Sequence, residues 1–491
     1  MLQGHRAPWG FLLVAGLLIV VFLAQGFIGI QGKSPTFDET GDIAAGLSYI
    51  QWGEVRANLQ HPPLLKELSG VSLWLAGLRL PDDPKVRDMI AGGAERQVGS
   101  DFIAANGPDR VMFWARLPFL LLAAAMAALL WWWGRQLAGE IAALAALFLY
   151  TLSPTILGHG YLATLDVGLA AFTLLFVYAL WSYLQSPDWR RLVFCGIAMG
   201  LVLSTKFSAL FLLPVAAVLL IKARRTGPLI LMGIIATLVI QALYLSPGGL
   251  YFYTLGLQRV NADHNPNYLV YLGGQLQHSF ITYFPMAFLL KEPIAAIVLL
   301  AIGLYAIRRD LLWYLALPPL VIFGAHMAFA DDLGVRYIIP ALPFLYLIAG
   351  IGAAWLMAKG RAGQIAAGVL AAWLAFTSFA IAPDHLSYFN EAAGRGPAWL
   401  DDSNVDWGQG LKQLKDYVKD RPFKFAYFGS FNPTVYGLKA EPVELTDHPA
   451  PGLYAVSAHF VARVPAEWLK HPTAIVGHAI YIYEIGPTPA R

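Results

Sequence analysis

Charge is what this chain has least of. Only 13% of its 491 residues are Asp, Glu, Lys or Arg, whereas a soluble globular domain carries about 25%. A folded chain with so few charges must turn much of its outside toward acyl chains. Cysteine is rarer still: Cys195 stands alone inside an apolar stretch, which excludes a disulfide framework within the monomer. The net charge is only +3, with the basic residues gathered in short clusters. That distribution speaks to orientation in a bilayer and makes no case for nucleic acid. A Gly-x-Gly-x-x-Gly turn after a strand and a P-loop are both missing, so nothing points to a nucleotide.

What is present is apolar sequence. Hydrophobic residues make up 57% of the chain and the mean hydropathy is +0.56. A spanning helix needs about 20 apolar residues. Candidate runs fall at 9–30, 111–133, 139–158, 165–184, 192–205, 207–221, 228–246, 284–307, 311–330, 337–357 and 364–382. The expected fold is therefore a polytopic α-helical membrane protein of about 11 spans. The first run is longer than the core of a signal peptide, about 7–15 residues, and no small-residue cleavage site follows, so it reads as a retained helix.

Runs 192–205 and 207–221 are short, and charge decides how they are arranged. Arg190 and Arg191 precede them; Lys222, Arg224 and Arg225 follow. The positive-inside rule wants both clusters in the cytoplasm, which requires a hairpin with Lys206 at its outer tip. The same parity puts Arg6, Arg135, Arg308, Arg309, Lys359 and Arg361 inside. The N-terminus is then cytoplasmic and the C-terminus extracytoplasmic, with the chain in the cell (inner) membrane.

Residues 63–79 follow Pro62-Pro63 and carry Lys66 and Glu67, so they read as a helix lying in the outer interface. Residues 1–383 then form one transmembrane domain. Its first outer loop, 31–110, holds about two interfacial helices, and its second spans 247–283. Residues 384–491 mix charge, Gly and Pro with short alternating runs at 423–428, 442–445, 452–457 and 479–485 and a helix at 408–419. They are expected to form a small α/β extracytoplasmic domain.

Ionisable residues at the outer helix ends are the candidates for chemistry. Asp38 and Glu39 sit where the first span should emerge; they either mark the boundary or form an acid pair able to take a hydroxyl proton. His61 is presented at the stiff Pro62-Pro63 corner. Asp166 begins the fourth span, where a charge calls for a partner or a substrate. Arg116, Lys206 and Arg336 are cations at outer helix ends, which either snorkel to lipid headgroups or ring a phosphate and offset the charge it develops on leaving. In the second loop, Arg259, Asp263, His264, His278 and Tyr283 suggest a substrate-contacting segment, with His278 the candidate metal ligand. The run Asp401-Asp402-Ser403-Asn404-Val405-Asp406-Trp407-Gly408-Gln409 is either an Asx-rich turn before a helix or, through Asp402, Asn404, Asp406 and Trp407, a contact for an acceptor or a sugar.

Several of these motifs occur in a familiar order: Phe37-Asp38-Glu39, His61-Pro62-Pro63-Leu64, Asp166, Lys206-Phe207-Ser208, Lys291-Glu292-Pro293 and Arg336-Tyr337-Ile338-Ile339-Pro340. The chain resembles the C-type (GT-C) membrane glycosyltransferases, especially bacterial relatives of the protein O-mannosyltransferases and of the lipid A aminoarabinose transferase. The resemblance implies an inverting transfer of a hexose or pentose from a polyprenyl-phosphate carrier to a lipid, protein or glycan acceptor on the outer face. It makes Asp38 the base or its organiser, with Glu39 and Asp166 beside it. The donor phosphate is then expected near His61, Arg116, Lys206, Arg336 and Tyr337. A divalent metal ion assists some relatives. Here Gln60 stands before the His-Pro-Pro corner where many of them carry Glu, and an amide binds hard cations more weakly than a carboxylate does. The rival readings are a lipid or solute transporter and an inactive scaffold subunit. Ionisable residues gathered at one face, with no matching halves, favour the enzyme.

Overall fold

The apolar runs fold as helices, and each interruption can be traced to a glycine, a proline or a buried charge. The computed structural model describes residues 9–262 and 267–486. Its first helix, Trp9–Gly32, turns most of its side chains outward. Pro108–Thr151 is formally one 44-residue helix, but Gly139 has φ 84° and ψ 178°. The Tyr150 hydroxyl donates to the Ala123 carbonyl at 2.8 Å, although 27 residues of straight helix would separate them by about 40 Å. The helix therefore folds back on itself at Gly139, where Arg135 and Glu140 pair at 2.7 Å. The expected run 111–133 lies in its first arm, and the run expected at 139–158 is its second arm, ending at Thr151, plus most of the short helix Pro154–His159.

Leu165–Gln185 and Trp189–Leu203 follow, then the 3-10 turn Phe207–Phe211 leading into Leu212–Lys222, and Pro228–Leu243. Lys206 stands extended between the two short arms of the expected hairpin. The run expected at 284–307 is not straight: Tyr283–Lys291 and Ile294–Ala306 meet at 114°. Pro293 has no amide to continue the ladder, and Lys291 is buried, donating to the Leu386 and Asn404 carbonyls at 2.8 and 2.5 Å. Arg309–Leu315 and Leu317–Phe329 bend by 43°, and Val335–Met357 and Arg361–Ile381 complete the bundle. Among the described residues five helices are individually long and apolar enough to cross a membrane, and up to seven with each bent pair counted once. The chain is a multi-pass membrane protein.

The first loop is richer than expected, with four α-helices, Glu39–Trp52, Leu64–Leu75, Pro84–Ala91 and Glu95–Ala105, in place of two. Leu64–Leu75 exposes Val71, Trp74 and Leu75, while Lys66 and Glu67 turn inward and are buried. It crosses Glu39–Trp52 with the backbones touching. A Cβ on Gly46 would lie 2.0 Å from the Lys66 carbonyl oxygen, and one on Gly70 2.2 Å from that of Gly46. In the second loop a helix, Gly249–Ala262, precedes an unexpected hairpin, Val270–Leu272 with Gln275–Gln277.

Near the C-terminus a mixed five-stranded sheet has the order Ala440–Pro442, Phe423–Ala426, Gly452–Ser457, Ile480–Ile485, Ala474–Val476. The first three strands are parallel and the last two pair antiparallel. The strand expected at 442–445 is displaced to Ala440–Pro442, and Ala474–Val476 was not foreseen. The helix expected at 408–419 is shorter, Leu411–Val418. The segment before it lies along the start of the first loop: Phe37 donates its amide to Trp407 at 2.8 Å, and Ser34 donates its amide to Gln409 at 3.1 Å. Lys33 pairs with Asp384 beneath this seam.

Because the Gly46–Gly70 crossing leaves no room for a side chain, Gly70→Val should destabilise the protein by about 3 kcal/mol, the upper end for overpacking. Thermal unfolding in detergent measures this; a wild-type melting point would show that the helices can part without cost.

Candidate active site

Four parts of the chain converge on one open cavity of about 400 Å³. The first loop brings Phe37, Asp38, Asp42, Gln60, His61 and Arg96. The membrane helices bring Asp166, Lys206, Arg336 and Tyr337 from their ends. Asp402, Trp407 and Phe428 arrive from the C-terminal third, and Tyr268 from the second loop.

Charges alternate across this cavity. Asp38 is the residue before Glu39–Trp52, but its side chain does not cap that helix. It accepts instead from Arg336 Nη1 at 2.7 Å and lies 3.6 Å from Arg96. Arg336 approaches Asp166 at 4.0 Å, and Asp166 accepts from Lys206 Nζ at 2.9 Å. Asp166 sits in the first turn of Leu165–Gln185, where the helix dipole favours a carboxylate. The Arg336 guanidinium lies 4.5 Å from the Trp407 ring centroid, and the Lys206 ammonium 4.3 Å from that of Tyr337. These stacked contacts orient both cations without neutralising them. Among the described residues the Nε of Arg336 is buried with no partner, and so is Nδ1 of His61. Burial, reinforced by Lys206, Lys66 and Arg336, pushes the His61 imidazole well below its usual range, so it is neutral at pH 7.

The structure thus brings together Asp38, Asp166, His61, Lys206, Arg336, Tyr337, Asp402 and Trp407. Others are elsewhere. Glu39 and Arg116, expected as an acid and a phosphate ligand, form a fully buried fork with Nε–Oε1 2.8 Å and Nη2–Oε2 2.6 Å. Glu39 also accepts from the Thr36 amide at 2.8 Å and the Ala163 amide at 2.9 Å. Its oxygens are saturated, and neither residue lines the cavity. Burial opposes its ionisation, but the Arg116 charge and hydrogen bonds prevail and hold its carboxyl below the usual range.

Asn404 and Asp406 are likewise buried in support roles. Asn404 accepts from the Val335 amide at 2.9 Å and donates to the Tyr283 hydroxyl at 3.0 Å; Asp406 accepts from the Gly408 amide at 2.9 Å. His278 is exposed just past the hairpin, away from the cavity. Asp263 and His264 lie outside the described residues. Among the described residues no three His, Cys, Asp or Glu side chains come together as metal ligands.

Sequence reasoning missed Arg96 and Asp42. Arg96 lies against Gly41 and 4.7 Å from the Phe37 ring. Asp42 follows Asp38 by one helical turn, a spacing that puts both on one face. That spacing was the signal available. Burial, opposed by Lys66 and Arg96 and aided by Asp38 and Asp166, raises the Asp42 carboxyl to about 7.

The chain shares its fold with the crystal structure of ArnT from Cupriavidus metallidurans bound to undecaprenyl phosphate: TM-score 0.54, 13% identity, covering 97% of this chain and 98% of the other. The apo form of ArnT matches over the same shares at TM-score 0.52 and 14% identity. A looser likeness, TM-score 0.33 and 18% identity over 52% of this chain and 35% of the other, is to the S. cerevisiae protein O-mannosyltransferase Pmt1-Pmt2 complex bound to the sugar donor. Residues 109–251 match the family model for dolichyl-phosphate-mannose-protein mannosyltransferase. No curated protein matches the chain. Family match and ArnT-like fold together support the kinship with C-type glycosyltransferases read from the motifs.

Glu39→Gln removes one charge of the buried fork and leaves Arg116 unpaired, so it should cost about 3–5 kcal/mol of stability. Since the Glu39 carboxyl is held below its ordinary value, the pair's contribution is present above about pH 4.5 and fades as the pH falls through the lower folded value. Melting curves of wild type and variant should therefore converge in acid; parallel curves would refute the assignment.

Proposed function

We propose that the chain transfers a sugar from a polyprenyl-phosphate carrier to an acceptor hydroxyl at the outer face of the cell membrane, with inversion at the anomeric carbon. One observation carries the reading. Lys206 and Arg336, held by aromatic rings and carboxylates, face a common cavity in which, among the described residues, Arg336 Nε has no partner. An unsatisfied buried guanidinium nitrogen beside a second cation suits an anion. The undecaprenyl phosphate bound to ArnT indicates which lipid anion to expect.

In this mechanism the polyprenyl tail lies against the helices, and its phosphate bridges Lys206 and Arg336. As the bond from the anomeric carbon to the phosphate oxygen breaks, charge grows on that oxygen, and preorganised cations in a partly dry site stabilise it. Neutral His61 can donate a hydrogen bond without adding charge. Asp402 and Trp407 offer the sugar a carboxylate and an aromatic face, which gives residues 384–491 a part in binding beside the catalytic unit 1–383. The N-terminus is cytoplasmic and the cavity opens outward. The mechanism uses no divalent ion: among the described residues the carboxylates and histidines of the cavity do not gather into a ligand set, and Gln60 supplies a neutral amide.

Purified protein in lipid nanodiscs, given radiolabelled undecaprenyl-phosphate hexoses and pentoses with a membrane extract as acceptor source, should transfer label with inversion. Lys206→Ala and Arg336→Ala should each lower transfer by about 10²–10³-fold, and chelation of divalent ions should leave it unchanged. Label that crosses a vesicle with its sugar–phosphate bond intact would identify a transporter instead.

A further inference from the structure

We propose that Asp42 takes the acceptor's proton, and that Asp38 is the positioning residue that holds Arg336 beside the departing phosphate. The inference rests on the glycosyl-transfer reading above and assigns its proton acceptor. Both Asp38 oxygens face guanidinium groups, at 2.7 Å from Arg336 and 3.6 Å from Arg96. Its carboxylate is therefore committed to holding the two guanidinium groups in place.

Asp42 is differently placed. It lines the same cavity with 9% of its surface exposed. Among the described residues its carboxylate receives no hydrogen bond and makes no ion pair. The natural partner, Lys66, is committed elsewhere: its ammonium donates to the Asn58 carbonyl at 2.8 Å, the Asn58 side-chain oxygen at 3.0 Å and the His61 carbonyl at 3.1 Å. Lys66 thus pins the His61 corner and reaches Asp42 only through its field. The other charges around Asp42 are Arg96, Asp38 and Asp166, with Tyr49 behind it. Burial, with Asp38 and Asp166 nearby, raises the Asp42 carboxyl, and a base poised near neutral pH serves a hydroxyl best.

The step balances without a further reagent. The acceptor oxygen forms a bond to the anomeric carbon and passes its proton to Asp42. The bond from that carbon to the phosphate oxygen breaks, and its electron pair leaves with the polyprenyl phosphate.

The test uses the full-length protein in nanodiscs with the radiolabelled undecaprenyl-phosphate sugar that the wild type accepts. Wild-type kcat/KM should rise with pH through about 7 and level off. Asp42→Asn should lower kcat by about 10²–10⁴-fold, lose that rise in its residual rate and keep the wild-type affinity for undecaprenyl phosphate; Asp42→Glu should recover part of the rate. Asp38→Asn should keep the rise while its KM for the donor increases, because Arg336 is released. If Asp42→Asn keeps the wild-type rate and pH profile, or loses undecaprenyl phosphate binding along with activity, or if the pH rise vanishes in Asp38→Asn, the inference is overturned while glycosyl transfer stands. A wild type that transfers no sugar overturns both.

Discussion

The fork between Glu39 and Arg116 ties together the pieces from which the cavity is built. Arg116, on a membrane helix, donates to the carbonyls of Lys33 and Ser34 at 2.9 and 2.8 Å, where the first helix gives way to the loop. Glu39 accepts the amides of Thr36 and Ala163. One ion pair therefore sets the path of the chain into Asp38 and the position of the turn leading to Asp166. Two charges are tolerable in so dry a place only because every oxygen and most of the guanidinium protons are used. Asp38 can face the cavity because its neighbour has taken the structural task.

The cavity itself works by incomplete satisfaction. Asp38, Arg336, Asp166 and Lys206 hold one another in an alternating row, and aromatic rings orient the two cations from the side. Among the described residues, Arg336 nevertheless keeps an unused buried nitrogen, and Asp42 keeps an unpaired carboxylate facing the cavity. Natural interiors rarely leave such groups idle. A cation short of an acceptor and an acid short of a donor, facing one space, are the two ends of a transfer in which one oxygen gains charge while another loses a proton.

Much of this site was legible because a lipid environment makes charges conspicuous. Asp166, Lys206 and Arg336 stood out at the ends of apolar runs, and Asp38 at the exit of the first. The same reasoning misled at Glu39: adjacent residues at a helix start point about 100° apart, so one acid faces the cavity and the next faces the core. Asp42, Arg96 and Lys66 lie in a polar loop, where charge is ordinary, and only the one-turn spacing from Asp38 to Asp42 marked any of them. Lys66 and Glu67 read as surface groups of an interfacial helix and proved to be buried in it.

By itself the sequence determined the helices and their punctuation, since a 20-residue apolar run has few other uses and Gly139 and Pro293 interrupt a helix through local backbone chemistry. It also determined that charge would collect at helix ends, because lipid penalises it elsewhere. Which charge meets which was decided only in three dimensions. The partners of Asp38 and Lys33 lie hundreds of residues away, and hydrogen-bond geometry over a few ångströms separates the clamped acid from the free one.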